Sequence, residues 1–235
     1  MTARSLRTAG PCLVLAALLG ALLLTAGAPA AERAPARAGA PADDSADVGF
    51  ARDMSVHHQQ AVEMSFHLYR HGASERLRTL AYDIAQTQAT QRGMMLGWLD
   101  LWGRSASPKH PMAWMDMPPP SDADRREGRL MPGMLSRGEL AQLLDAEGEK
   151  ADVLFLERMI SHHRGGVHMA EGAVERAEEP VVRRLAQGML DAQKAEIDEM
   201  THLLRTVDGS GGAPSDAGHG AHAPAPGGSG GSGGH

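Results

Sequence analysis

Imidazole and thioether groups recur in this 235-residue chain at a fixed spacing. Met54, His57, His58 and Met64 are matched 105 positions later by Met159, His162, His163 and Met169. Imidazole suits copper, zinc, nickel and iron, and thioether sulfur suits Cu(I), so each quartet is a pool of soft and borderline metal ligands. The flanks repeat as well. Asp47, Val48 and Phe50 precede the first quartet as Asp152, Val153 and Phe155 precede the second, and Val62 matches Val167. The register continues through Leu80-Ala81 with Leu185-Ala186, Gln88 with Gln193, Met95 with Met200 and Leu99 with Leu204. Of the 53 positions from 47 to 99, 14 equal the residue 105 later, where average composition gives about three. The chain therefore carries a duplicated unit, the first thing to settle in reading a fold.

A second concentration of soft ligands lies between the copies. His110, Met112, Met115 and Met117 fall within eight residues, and Met131-Pro132-Gly133-Met134 follows. Loop methionines have no helical face to fill. They read either as a second metal site or as a loop folded over the bundle with its sulfurs buried. Met95, Met189 and Met200 sit on helical stripes and read as core filler, a common use of methionine. His67 and His71 stand four apart, as do Glu63 and His67. His71, at a helix C-terminus, is favourable with the helix dipole.

Four long helices must position these groups. The first is expected from about 48 to 71 with Gly72 as its stop, and the second from Ser74, a good N-cap, to about 103. Pro108, Pro111 and the run 118–120 forbid a continued helix in the connection. Ser136-x-x-Glu139 is a capping-box pattern that opens a short helix to about 146. The third long helix is expected over about 149–178. Pro180 suits the first turn of the fourth, which ends near Asp208-Gly209. Two similar hairpins with a long crossover predict an all-α, ferritin-like four-helix bundle.

At about 100° per residue, with Phe50 at zero, His57 falls at about −20°, Met54 at about 40°, Met64 at about −40° and His58 at about 80°. His57 is thus central in the apolar stripe and His58 flanks it; His162 and His163 repeat the arrangement. On the second helix Gln88 and Gln91 lie within the stripe, and Gln193 and Glu196 are their equivalents on the fourth. The expected interior therefore holds a polar layer of His57, His162, Gln88, Gln91, Gln193 and Glu196. Buried polar groups are costly without partners. Two explanations stay open: a hydrogen-bond network that fixes helix register, or a metal site whose imidazoles are oriented by the Gln and Glu groups.

Composition narrows the class. Arg4 and Arg7, the apolar run 12–26 and Ala28-Pro29-Ala30 read as a secretory signal peptide over 1–30, too short for a comfortable membrane span. Cys12 is the only cysteine and lies within it, so neither disulfides nor thiolate ligands are expected in the mature chain. The 23 Lys and Arg less Arg4 and Arg7 leave 21, against 29 Asp and Glu, a charge of −8. That balance gives no reason to expect nucleic-acid binding. Residues 31–46 read as a flexible leader, 47–207 as the bundle, and 208–235 as a disordered Gly/Ser/Ala/Pro tail with His219, His222 and His235. Di-iron bundles use two Glu-x-x-His motifs, and none is read within the four long helices. Nor does the folded region contain a zinc-protease motif, a nucleophile elbow or a phosphate loop. Catalysis has no motif to rest on.

Phe155-x-x-x-Met159-Ile160-x-His162-His163-x-x-x-Val167-x-Met169-Ala170, preceded by Met131-Pro132-Gly133-Met134, resembles the bacterial domain of unknown function family 305. Phe50-x-x-x-Met54-x-x-His57-His58-x-x-Ala61-Val62-x-Met64 resembles its first half, and the likeness spans about 47–205. The resemblance implies a ferritin-like bundle and, from secreted and periplasmic members associated with copper and sometimes silver, binding through His and Met. Gly166 stands where the second copy usually has Ala, His168 is an extra imidazole, and Ser65 replaces a small apolar residue.

The reading that follows is a secreted or extracytoplasmic, non-catalytic protein that sequesters or delivers Cu(I). Its ligand pool is the two quartets, and His110, Met112, Met115 and Met117 form a second site. The partner expected is a metal ion, with no stable membrane insertion and with homo-oligomerisation left open. The alternative is a structural or interaction module whose inner His-Gln-Glu layer only specifies the fold.

Overall fold

Serine hydroxyls set four of the helix starts, those of Ser45, Ser74, Ser121 and Ser136. In the computed structural model, which describes residues 39–107 and 110–207, α1 (Ala46–His71) begins where Ser45 accepts the Val48 N–H and stops at Gly72. Helix α2 (Glu75–Leu101) begins where Ser74 accepts the Leu77 N–H. A crossover follows, with a 3-10 turn at Ala113–Met115, α3 (Asp122–Glu127) and α4 (Arg137–Leu144). The capping box at Ser136 and Glu139 is present at the start of α4. The second hairpin is α5 (Gly148–Arg176) and α6 (Pro180–Val207). Helix α3 and the 3-10 turn lack an apolar periodicity to announce them in the sequence.

Helix α1 packs along α2, α5 along α6, and α1 against α5. The chain is an all-α, ferritin-like bundle of two similar hairpins joined by a long crossover. No strand forms among the described residues, and no helix there is long and apolar enough to cross a membrane. The signal-peptide and tail readings lie outside the described residues. The leader differs from expectation at its end. Arg104 donates to the Pro41 carbonyl at 2.9 and 2.6 Å, and Arg52 donates to the Asp43 carbonyl at 2.8 Å and pairs with its carboxylate. Two guanidinium groups thus fasten a stretch whose composition alone reads as flexible.

Reciprocal caps lock the hairpins together. Asp47, at the start of α1, accepts the Glu178 and Glu179 N–H groups at 3.1 and 2.9 Å. Asp152, its equivalent on α5, accepts those of Ala73 and Ser74 at 3.2 and 2.9 Å. Each buried carboxylate therefore satisfies the free N–H groups at the start of the other hairpin's second helix, where the dipole favours negative charge.

Two apolar clusters fill the bundle. One holds Phe50, Met54, Leu99, Met169 and Met189. The other holds Met64, Ile84, Phe155, Met159 and Met200. On every long helix the residues between the clusters are polar: His57 and His58, Gln88 and Gln91, His162 and His163, Gln193 and Glu196. The bundle has a polar waist between two apolar ends.

Candidate metal site at the bundle waist

Helices α1 and α5 bring His57 and His162 face to face, with ring centroids 3.8 Å apart and planes inclined by 32°. His58 and His163 are as deeply buried as that central pair. Their flanking angle still places them inside because the second helix of each hairpin covers that side. His58, with its proton on Nε2, donates to Gln91 Oε1 at 2.8 Å. His163 likewise donates to Glu196 Oε2 at 2.7 Å. Gln91 and Glu196 therefore sit at the rim and tether the flanking imidazoles rather than the central ones. Gln88 and Gln193 lie deeper, each 3 % exposed, with their Oε1 atoms unpartnered.

The third tether comes from the crossover. His57 Nε2 donates to the Pro132 carbonyl at 3.1 Å. Gln60 holds the same loop by accepting the Leu135 N–H at 2.7 Å and donating to its carbonyl at 3.0 Å. Opposite Gln60, Gly165 permits contact: a Cβ there would lie 1.9 Å from the Pro132 oxygen. Gly166 has its own reason, since a Cβ would meet Gln193 Oε1 at 2.3 Å.

Each imidazole keeps a free nitrogen. The Nδ1 atoms of His57, His58 and His163 and both nitrogens of His162 are buried without partners. Burial pushes the His57 pKa down to about 3, with the neighbouring His58 charge adding to the effect. It pushes His58 down to about 4 against the opposing Gln91 bond. His162 is lowered well below the usual imidazole value by burial and then by His57. These three rings are neutral at neutral pH, so each has one nitrogen with a lone pair, the form in which imidazole ligates a metal. A ring whose other N–H is donated to a carbonyl or carboxylate has the orientation that metal-bound histidines adopt.

The methionines bracket this layer. Met54 and Met169 share the apolar cluster on one side, Met64 and Met159 the one on the other, all four fully buried. Among the described residues no three or more His, Asp or Glu side chains converge as a metal cage would require. A metal at the waist would draw on an imidazole pair and sulfur. Contrary to the reading that no long helix carries Glu-x-x-His, α6 holds Glu199-x-x-His202, but both residues are exposed and Glu199 pairs with Arg76 at 3.4 Å.

The crossover residues are dispersed. His110 is exposed and lines a pocket of about 340 Å³ with Asp53 and Trp114. Met115 lies on Gly172 of α5, where a Cβ would meet its methyl at 2.5 Å. Only Met112 and Met117 of the expected second site share a groove, and their neighbours there are Met131 and Met134. The loop is fastened by Asp53, whose Oδ2 accepts the Met112 N–H at 2.7 Å and the Trp114 Nε1–H at 2.9 Å. Burial raises the Asp53 pKa to about 6 against those two bonds. Asp53 and Trp114 carried no signal in the sequence, because the loop they join has no periodic pattern.

A model of the domain of unknown function family 305 matches residues 47–204. The fold is similar to that of a family member from Streptomyces coelicolor at 52 % identity, covering 71 % of this chain and 96 % of that one, with a TM-score of 0.64. It is similar to a fragment from Deinococcus radiodurans at 29 % identity, covering 74 % and 99 %, with a TM-score of 0.56. CopM in its Cu(II)-bound form is similar at 24 % identity, covering 67 % and 94 %, with a TM-score of 0.51. No curated protein matches the chain.

Proposed function

The chain belongs to the domain of unknown function 305 family, and on that premise we propose that it is an extracytoplasmic, non-catalytic Cu(I)-binding protein. It sequesters the ion or passes it on, and its binding centre is the bundle waist. The observation that carries this reading is the set of four buried imidazoles, each with an unpartnered nitrogen. Leaving such groups unpaired costs about 1–3 kcal/mol each, a strain a bound ion would relieve. His57 and His162 supply the central pair, His58 and His163 the flanking donors, and Met54, Met64, Met159 and Met169 the sulfur. Gln91, Glu196 and the Pro132 carbonyl orient the rings; Gln88 and Gln193 lie beside them. CopM, which has the same fold and was captured with Cu(II), is consistent with copper as cargo. The signal-peptide pattern supports a location outside the cytoplasm.

One observation favours the structural alternative: no three ionisable ligands converge, and three of the rings already have a partner. Anaerobic Cu(I) titration against a competing chelator tests the two readings. Tight binding lost in a His57→Ala, His162→Ala double variant is expected. Unchanged affinity in that variant overturns the waist site. Cu(I) should also raise the unfolding temperature of the wild type, by about 2.7 kcal/mol of stability at a hundredfold excess over Kd. No shift favours the structural module.

A further inference from the structure

The crossover sulfurs meet in a grouping that chain order does not suggest. Met112 and Met117 come from one loop segment, Met131 and Met134 from another, and all four line one open groove of about 320 Å³. Each pair is closed on a turn: the Met117 N–H points to the Met112 carbonyl at 3.4 Å, and the Met134 N–H donates to the Met131 carbonyl at 3.2 Å. Met112 has φ 65°, uncommon for a residue with a Cβ. The Asp53 carboxylate holds it there. Met112 and Met131 are buried, and Met117 and Met134 are half-buried above the apolar cluster. Arg129 at the rim is paired with Glu127 and with Glu139 at 3.2 Å, so its charge is offset.

The groove also borders the waist. Pro132 and Gly133 form part of its wall, and the Pro132 carbonyl is the one His57 donates to. A Cβ on Gly133 would lie 2.7 Å from the Ser161 carbonyl and 2.9 Å from that of His162. The Pro132–Gly133 segment thus lies between this methionine groove, in which Met117 and Met134 are partly exposed and Met112 and Met131 buried, and the imidazole pair.

We propose that Met112, Met117, Met131 and Met134 form a capture site for a soft monovalent cation, Cu(I) or Ag(I), which passes it to His57 and His162. The destination rests on the waist reading; the sulfur site does not. Thioether sulfur is a soft ligand and has no proton to lose. Binding here involves neither proton release nor a change of oxidation state, unlike ligation by imidazole, which competes with protons.

The test uses the whole chain, anaerobic Cu(I) and a chromophoric competing chelator. A Met112→Leu, Met117→Leu, Met131→Leu, Met134→Leu variant conserves volume, a swap that cores tolerate. Its helicity and unfolding midpoint should stay near wild type, while Cu(I) uptake slows about tenfold or more. If it misfolds, Met117→Leu, Met134→Leu changes only the two half-buried sulfurs. A His57→Gln, His162→Gln variant should retain copper with sulfur-only scattering in X-ray absorption, equally at pH 7 and pH 5. Wild-type uptake by the Leu variants overturns the capture site and leaves the waist standing. Absence of sulfur-bound copper in the His variant also overturns it. Full wild-type affinity in the His variant supports the groove and removes the waist.

Discussion

Acidification should unfold this bundle from its middle. His57 and His58 have folded pKa values pushed down to about 3 and about 4 from 6.5. A base whose folded pKa is depressed contributes stability that is complete above its unfolded pKa. That stability is lost progressively as pH falls toward the folded value. Between pH 6.5 and pH 5 each ring gives up about 2 kcal/mol, at about 1.4 kcal/mol per pH unit. The pair together loses about 4 kcal/mol, and His162 shifts in the same direction. Asp53 opposes this. Its pKa is raised from 3.8 to about 6, so its contribution is complete below about 3.8 and is lost as pH rises through about 6. Acidification to pH 5 recovers about 1.4 kcal/mol of it. The imidazoles win by about 3 kcal/mol, a large share of the roughly 5–15 kcal/mol a domain has. Urea unfolding of metal-stripped protein, followed by far-UV circular dichroism, checks this at pH 7.5 and pH 5. With an m-value of about 1–3 kcal/mol/M, the midpoint should fall by about 1 M or more. In the His57→Gln, His162→Gln variant the difference between the two pH values should shrink, whatever the variant's absolute stability. Coincident midpoints for the wild type at both pH values would refute the reasoning, because imidazoles that titrate normally cannot be sealed in the bundle interior.

Three further outcomes follow from the contacts. Asp47→Ala or Asp152→Ala leaves two N–H groups at a partly exposed helix start without their carboxylate, a loss of about 1 kcal/mol measurable as a lowered urea midpoint; a change near zero would mean water caps those helices equally well. Gly165→Ala drives a Cβ into the Pro132 backbone and should cost about 1–3 kcal/mol. Gly166→Ala meets only the movable end of Gln193 and should cost less, so equal costs in chemical unfolding would contradict the close approach of the loop. Asp53→Ala releases the Met112 and Trp114 N–H groups and should shift tryptophan emission to the red as Trp114 leaves α1. An unchanged spectrum would show that packing on Phe50 alone holds the ring, whose centroid is 5.9 Å from that of Phe50.

What the sequence disclosed follows from how local each signal is. Ser74, Gly72, Pro180 and the Ser136–Glu139 box act within a turn of themselves, so the helix limits were readable. The polar waist was readable because helical periodicity and duplication both mark it. The role of Asp47 was not, since its partner N–H groups lie 131 and 132 residues away. Only the folded arrangement of hairpins joins them. The regrouping of methionines was hidden for a related reason. Met112 and Met131 are brought together by Asp53, Gln60 and Gly165, none of which belongs to a loop motif.

The duplication also explains why the waist is asymmetric. Asp47 and Asp152 exchange caps, and His57 and His162 face each other, so the two hairpins are related by an approximate twofold. The crossover occurs once and must lie across that relation. At equivalent positions, Gln60 grips the loop through its side chain while Gly165 yields space to it. The Pro132 carbonyl bonds to His57, while neither nitrogen of its equivalent His162 makes a hydrogen bond of good geometry, and only the nearby His57 backbone favours its charged form. The rims diverge in the same way, Gln91 in one copy and the carboxylate of Glu196 in the other. A symmetric core has thus acquired one tethered and one free central imidazole, with the free ring on the helix that the methionine loop touches. An ion entering through that loop would meet His162 as the ring with most to gain. His162→Gln alone should therefore weaken Cu(I) binding more than His57→Gln alone, by about tenfold if one unsatisfied buried nitrogen is worth about 1.4 kcal/mol. Equal losses in the two single variants would mean that the tether to Pro132 makes no difference to the ligand.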